Sequence, residues 1–217
     1  MTSLHSGRSV EWWCARIPVV LTFGPLLEDE LPIARRLAAI AFAGEPFAHG
    51  MFGPSPLDRL LGMAADYAEW PWSTDTRVTV ARQNGVLLGV AAVSPSDLCG
   101  LCDHWVDDID PTVSEGARVE RDFRLACRAA HLDALLPPHA HIKSVAVEPF
   151  LAGQGVGGRL MEFVLAELRA AGTETVVLEC VTAREAFYAR LGFRRIASFP
   201  DPGGPDLTAV LMRLDRP

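Results

Sequence analysis

The sequence predicts a single domain of the α/β or α+β class, built on a mixed, mostly antiparallel β-sheet that is flanked by helices. Three observations support this prediction. Segments with the apolar pattern of strands are interleaved with segments that have the period of amphipathic helices. Hairpin patterns lie towards both ends of the chain, and no linker divides it. With 217 residues, 49% of them apolar, the chain can bury a sizeable core.

The first half is predicted to hold a strand, two helices, a hairpin and a third helix. The second helix has a clear start, because Ser55 can act as N-cap, Pro56 suits the first turn and Asp58 favours the positive end of the helix. The dipeptide Asn84-Gly85 predicts a type I′ turn, in which both residues have positive φ. The predicted ranges are 17–23, 31–42, 55–69, 77–82, 86–93 and 115–136.

The second half alternates strands and helices more regularly. One amphipathic helix carries the apolar stripe Leu160, Val164 and Leu168, extends to residue 171 and is ended by Gly172. The other predicted elements are strands at 142–147, 175–181, 195–198 and 207–213 and a short helix at 183–191.

Charge and composition argue against several classes of protein. The 20 basic and 27 acidic side chains give a net charge of −7, whereas a general nucleic-acid binder needs a basic surface. Apolar runs such as 17–21 are far shorter than the ~20 residues of a membrane span, and we find no signal-peptide pattern. The 5 cysteines are odd in number and unevenly spaced, and in a chain of this length without an export signal we expect reduced thiols. We therefore expect a cytoplasmic protein without nucleic-acid or membrane partners, in which residues 1–15 are a flexible tail and residues 16–217 form the domain.

A glycine-rich loop follows the strand at 142–147. Residues 148–152 lead into Gly153-Gln154-Gly155-Val156-Gly157-Gly158, and a helix begins directly afterwards. Such a loop at a helix N-terminus presents free N–H donors and the positive end of the helix dipole to an anion. The sequence therefore predicts a phosphate or pyrophosphate site here.

Two common phosphate motifs fit this loop less well. A P-loop requires Gly-Lys-Ser/Thr, which the loop lacks. The spacing of Gly153, Gly155 and Gly158, with Glu179 about 20 residues on, matches a dinucleotide-binding motif. However, its first glycine should directly follow the strand, and too little chain remains to build a doubly wound sheet. A nucleotide-dependent oxidoreductase is therefore disfavoured.

The strand, loop and following helix resemble the acetyl-CoA motif of the GNAT N-acetyltransferase family. The resemblance is strongest over residues 140–195 and extends through the order of elements to 17–95. The overall layout is most similar to puromycin N-acetyltransferases, and the acetyl-CoA motif maps to 141–171. The matching residues are Val145-Ala146-Val147-x-Pro149, Gly153-Gln154-Gly155-x-Gly157 and Phe187-Tyr188-Ala189-Arg190-Leu191-Gly192-Phe193.

This resemblance implies a set of acetyl-CoA contacts. The backbone of the strand would pair with the pantetheine arm and polarise the thioester, while the loop would bind the pyrophosphate. The family usually has Arg or Gln where Ala152 stands, so backbone N–H groups would hold the phosphates without that side chain. The cofactor-binding residues implied are Val145, Ala146, Val147, Ala152, Gly153, Gln154, Gly155, Val156, Gly157 and Gly158.

The resemblance also implies that Tyr188 protonates the leaving thiolate. The proton acceptor for the amine is left open. Alternation along the strand predicts that His141 shares a face with Val145 and Val147, and the strand is similar to that of serotonin N-acetyltransferases. Glu179, on a buried-type strand, is a rival base. Further rivals are Glu120 and the acidic stretch 103–110.

We predict no metal, because the Cys99-x-x-Cys102 pair stands alone, whereas a zinc site needs further ligands at regular spacing. The sequence thus predicts an acetyl-CoA-dependent N-acetyltransferase that acts on the amine of a small molecule by direct attack. The alternatives are a non-catalytic acyl-CoA-binding regulatory module and an acetyltransferase for protein N-termini or lysines. The acceptor itself is not readable from the sequence, and a homodimer, common in the family, is left open.

Overall fold

The computed structural model describes residues 20–72, 75–94, 110, 112, 114–134, 136–201, 203–204 and 206–217. The predicted tail at 1–15, the Cys99/Cys102 pair and nearly all of the acidic stretch 103–110 lie outside the described residues.

Seven strands and six helices make up the described part of the chain. The strands are β1 Thr22–Pro25, β2 Arg77–Gln83, β3 Val86–Ser94, β4 Ala140–Val147, β5 Thr175–Val181, β6 Arg194–Pro200 and β7 Thr208–Asp215. The helices are α1 Leu31–Phe42, α2 Pro46–Phe52, α3 Pro56–Asp66, α4 Glu115–Asp133, α5 Val156–Ala170 and α6 Thr182–Ala189.

The strands form one sheet in the order β1-β2-β3-β4-β5-β7-β6. Only the contact between β4 and β5 is parallel, and the other five contacts are antiparallel. The predicted mixed, mostly antiparallel sheet in a single domain is therefore confirmed.

Local sequence patterns predicted the type and position of most helices and strands correctly. The Ser55 hydroxyl accepts a hydrogen bond from the Asp58 N–H at 3.3 Å, and Asn84 and Gly85 have φ of 51° and 78°. Both features match the predictions. The seven-residue helix α2 was not predicted, because it is too short to show a helical apolar period. The strand predicted at 17–23 overlaps β1 only at Thr22 and Phe23.

Helices cover both faces of the sheet. On one face, α5 and α6 pack over an apolar cluster that includes Leu160, Met161 and Leu178. On the other face, α1 to α3 cover β2 to β4, and α4 covers β5 to β7. The indole N–H of the fully buried Trp70 donates to the Ser144 hydroxyl at 3.0 Å, which ties the segment after α3 to β4.

The parallel strands β4 and β5 separate soon after they meet. Their paired positions are Ala140 with Val176 and His141 with Val177, both at the start of β4. Beyond this point β4 stays paired with β3, and β5 stays paired with β7. The two strands therefore form the sides of a wedge in the middle of the sheet.

A bulge in β4 changes which residues share a face. Ser144 pairs with Ala92 and Ile142 with Val93, so Lys143 is an extra residue in the strand. Ile142 therefore faces the α5 side together with Val145, as their shared apolar cluster indicates. The prediction that His141 shares a face with Val145 and Val147 is wrong, because the alternation shifts at the bulge and turns His141 towards α4.

The core between α5 and the sheet provides a stability test. Leu160 has 0% exposure, so Leu160→Ala should lower the free energy of unfolding by about 2–5 kcal/mol through lost burial and the cavity left behind. Leu61 on α3 is 59% exposed, and Leu61→Ala should change it by no more than about 0.5 kcal/mol. Urea unfolding followed by circular dichroism measures both. Equal effects of the two substitutions would contradict this packing.

Candidate active site

The wedge between β4 and β5 opens into a cavity of about 1250 Å³. Its walls include β4 from His141 to Val147, the glycine loop, the far half of β5 and helix α6. Helices α1 to α4 close it on the other face of the sheet. The cavity therefore passes through the sheet and connects its two faces.

The glycine loop lies at one end of this cavity. After a 3₁₀ turn at Pro149–Leu151, Gly153 and Gly155 have φ of 76° and 83°, a conformation that disfavours any residue with a Cβ. Gly155 is the N-cap of α5 and brings no side chain to cap the helix. The first N–H groups of α5 therefore have no acceptor within the helix, and an anion can take that place.

The predicted cofactor residues divide into cavity-lining and core residues. Val145, Ala146, Val147, Ala152, Gly153, Gly155, Gly157 and Gly158 line the cavity. The side chain of Val156 packs into the core, so only its backbone is available to a ligand. The Gln154 side chain donates to the Phe150 carbonyl at 3.0 Å and thereby stabilises the loop.

Tyr188 lines the cavity from α6 and packs against Phe187 and Phe193. Burial, followed by the neighbouring Cys180, raises the pKa of Tyr188 above its ordinary value, and this effect outweighs the opposing charge of Arg184. The phenol therefore keeps its proton at neutral pH. Burial also raises the pKa of Cys180 to about 12, so this thiol is not a nucleophilic thiolate.

The structure brings Glu179 and His141 into contact. The sequence analysis named both as candidate bases but did not predict that they touch. His141 Nε2 lies 2.7 Å from Glu179 Oε2, and the other carboxylate oxygen contacts Nε2 of His131 on α4. Burial alone would raise the pKa of Glu179, but the two histidines more than offset this effect and hold that pKa below its ordinary value. The carboxylate is therefore ionised at neutral pH.

His131 was missed by the sequence analysis. His131 lies on α4, 48 residues before Glu179 in the sequence. The apolar pattern of that helix does not distinguish His131 from its other polar residues. Its ring also lies near those of His139 and His141, with centroids 5.7 Å and 5.4 Å away. No local motif could have found this cluster, because three separate elements form it.

Acidic and aromatic side chains, together with Arg124, line the cavity end beneath α1 to α4. Its acidic lining residues are Glu45, Asp66, Asp75, Glu120 and Asp201, and its aromatic ones are Phe42, Phe47, Trp72 and Phe123. Glu45 is paired with Arg184 at 2.6 Å and was not singled out by any sequence pattern. A surface of this kind favours a cationic or amphipathic ligand.

Two carboxylates share one arginine in this part of the cavity. The Arg124 Nε donates to Glu120 at 2.8 Å within α4. Glu120, the third candidate base, is therefore engaged by an arginine. Burial, and then the nearby Glu120, raise the pKa of Asp66 to about 6. Asp66 therefore titrates close to neutrality.

The chain matches the model of the acetyltransferase (GNAT) family over residues 54–193, which is more than half of its length. It belongs to that family and is an acyltransferase. No curated protein sequence matches the chain significantly.

Many solved structures share the fold. A histone acetyltransferase HPA2 and related acetyltransferase from Corynebacterium glutamicum is 24% identical with a TM-score of 0.60, covering 89% of this chain and 94% of that one. A polyamine N-acetyltransferase from Drosophila melanogaster is 18% identical with a TM-score of 0.59, covering 90% and 100%. A mosquito arylalkylamine N-acetyltransferase like 5b is 16% identical with a TM-score of 0.61, covering 90% and 100%. At these identities the similarity establishes the fold.

Within the described part of the chain, every helix is too short or too polar to cross a membrane.

The raised pKa of Asp66 gives a pH-dependent prediction. The pKa is raised from 3.8 to about 6, so the folded protein holds a proton that the unfolded chain releases, and stability is lost as the pH rises through this range. We expect Asp66→Asn to be more stable than the wild type above about pH 7, on the order of 1–3 kcal/mol, and equal to it near pH 4. Urea unfolding across this pH range measures the difference. A difference that does not change with pH would contradict the assignment.

Proposed function

We propose that this protein is an acetyl-CoA-dependent N-acetyltransferase for a small-molecule amine, and that the amine attacks the thioester directly in a ternary complex. The observation that carries the proposal is the continuous cavity, which joins a helix N-terminus suited to phosphate with an acidic, aromatic pocket suited to a cationic amine. The wedge between β4 and β5 lies between these two ends.

The chain's own backbone would bind the cofactor. The free N–H groups at the start of α5 bind its pyrophosphate, and the positive φ at Gly153 and Gly155 lets the loop follow the phosphates closely. The edge of β4 that turns away from β5 offers backbone groups to the pantetheine arm. A thioester held there lies between Tyr188 on one face of the sheet and His141 on the other.

The amine must lose a proton to attack. Both His141 and Glu179 line the cavity, and the ionised carboxylate orients the imidazole through its contact at 2.7 Å. We assign the proton-accepting role to His141, directly or through water, and the orienting role to Glu179. We do not assign proton acceptance to Glu179 because a carboxylate with a lowered pKa is a weak base.

Tyr188 would donate the proton that the departing thiolate needs. Because its pKa is raised, the phenol is protonated before the reaction and readily takes a proton back afterwards. The raised pKa of Cys180, close to Tyr188, argues against an acyl-cysteine intermediate at that thiol and so supports direct attack.

The acceptor class follows from the lining of the pocket. Several carboxylates and aromatic rings in a partly open cavity suit a small amine with a positive charge or an aromatic ring. Two of the structurally similar proteins are named as acetyltransferases of polyamines and of arylalkylamines, and such amines belong to this class.

Release of free thiol from acetyl-CoA, measured with a panel of amines, tests the proposal. The panel holds a polyamine, agmatine, an arylalkylamine and a peptide with a free N-terminal alanine. We expect turnover with one of the small amines. Acetyl-CoA binding without turnover of any amine would favour the regulatory module, and turnover of the peptide alone would favour a protein acetyltransferase.

Gly155→Val should abolish acetyl-CoA binding. The residue has φ of 83° at the N-cap of α5, so a branched side chain both strains the loop and enters the phosphate site. Gly85→Val is a matched control, since Gly85 has φ of 78° in a hairpin outside the cavity lining. Calorimetry with acetyl-CoA compares the two variants. Tight binding by Gly155→Val would refute the phosphate site.

Tyr188→Phe should lower kcat by about 10²–10⁴-fold and leave the Kd for acetyl-CoA nearly unchanged, because it removes a proton donor and keeps the ring. The chain has 2 tyrosines, and the other, Tyr67, is buried in the cluster under α1 to α3. Tyr67→Phe is therefore the matched control and should keep normal turnover. Turnover of Tyr188→Phe at the wild-type rate would exclude Tyr188 as the acid.

A further inference from the structure

Three groups with metal-binding atoms meet beneath α4: the imidazoles of His131 and His141 and the carboxylate of Glu179. Each presents one such atom, and these atoms all lie within 4.8 Å of one another. The two histidine side chains are 2% and 4% exposed, and that of Glu179 is 14% exposed. The cluster is therefore largely shielded from water, although His141 and Glu179 reach the cavity.

The charge in this cluster requires compensation. A buried carboxylate is costly unless a cation or several hydrogen bonds balance it. Both side chains that the structure places in contact with the Glu179 carboxylate are histidines, and both point Nε2 at it. These side chains come from α4, β4 and β5, so three rigid elements hold the three groups in place.

We propose that the cluster of His131, His141 and Glu179 binds a divalent transition-metal ion of the zinc class. Two imidazole nitrogens and one carboxylate form a donor set that Zn²⁺ takes in proteins, with one coordination position left for water or another ligand. Magnesium and calcium prefer sites made only of oxygen, so the donor set selects against them. The cavity gives the ion a route to the cluster.

An ion at this site would occupy Nε2 of His141 and the Glu179 carboxylate together. His141, the proposed proton acceptor, and Glu179, which orients it, would then no longer be available for acetyl transfer. Zinc would therefore inhibit the enzyme. This consequence rests on the proposed function, whereas metal binding does not. Binding is therefore tested on the full chain without acetyl-CoA, whose free thiol form would itself bind zinc.

Calorimetric titration of the metal-stripped chain with Zn²⁺ should give one ion per chain, and titration with Mg²⁺ should give none. Cobalt at the same site should show visible ligand-field bands without the near-ultraviolet band of a thiolate ligand. Glu179→Gln and His131→Gln should each weaken Zn²⁺ binding by at least about 100-fold, since even outer-shell losses cost about 10–100-fold. Circular dichroism checks that each variant is folded, and one folded variant of the two is sufficient.

Two control variants should still bind zinc if the cluster is the metal site. His49 is exposed on α2, so His49→Gln removes an imidazole elsewhere. A double variant, Cys99→Ser with Cys102→Ser, removes the paired thiols. Loss of zinc in the double variant, with binding retained in Glu179→Gln, would move the site to the thiols. No zinc binding by the wild type would leave only a hydrogen-bonded cluster. Either result overturns the proposal, and neither decides whether the protein acetylates amines.

Discussion

Two parallel strands that pair at only two positions hold the cavity of this protein open. After His141, β4 remains attached to β3 and β5 remains attached to β7, so the sheet stays intact on both sides of the gap. Backbone groups along the facing edges are left for water or a ligand, because buried N–H and C=O groups need partners. The glycine loop, helix α6 and helices α1 to α4 surround the cavity that this separation opens.

The separation also joins two faces of the sheet that differ in character. Helices α5 and α6 lie on one face, and they bring the glycine loop and Tyr188. Helices α1 to α4 lie on the other face, and they bring acidic and aromatic side chains. Under the proposed function, a cofactor bound on the first face and an amine bound on the second would meet in the gap between β4 and β5. The cavity that connects the two faces allows this arrangement.

Burial raises the pKa of both ionisable groups beside this gap, and their neighbours decide whether that effect prevails. Tyr188 has mainly apolar neighbours, so burial raises its pKa and keeps the phenol protonated. Glu179 is also buried, but its contacts with His131 and His141 lower its pKa by more than burial raises it. A protonated donor and an ionised carboxylate therefore coexist at neutral pH. The proposed acetyl transfer would use both groups, the phenol as proton donor and the carboxylate to orient His141.

The sequence by itself determined the features that depend on local backbone preferences. The N-cap at Ser55, the hairpin at Asn84-Gly85, the helix end before Gly172 and the glycine loop before α5 all follow from which residues tolerate a given φ or supply a capping group. The family motif pointed to Tyr188, β4 and the glycine loop, and all three line the cavity, whereas their roles stay predictions.

Only the tertiary structure decided the other half of the site. The bulge at Lys143 turned His141 to the face opposite the one that alternation predicted, because an extra residue in one strand shifts every side chain before it. Glu45 lines the cavity and His131 contacts Glu179 behind it, and both come from a turn or a helix that carries no motif. Contacts between residues 38 or 48 positions apart, such as those of Glu179 with His141 and His131, depend on which elements pack together. Local spacing carries no information about that packing.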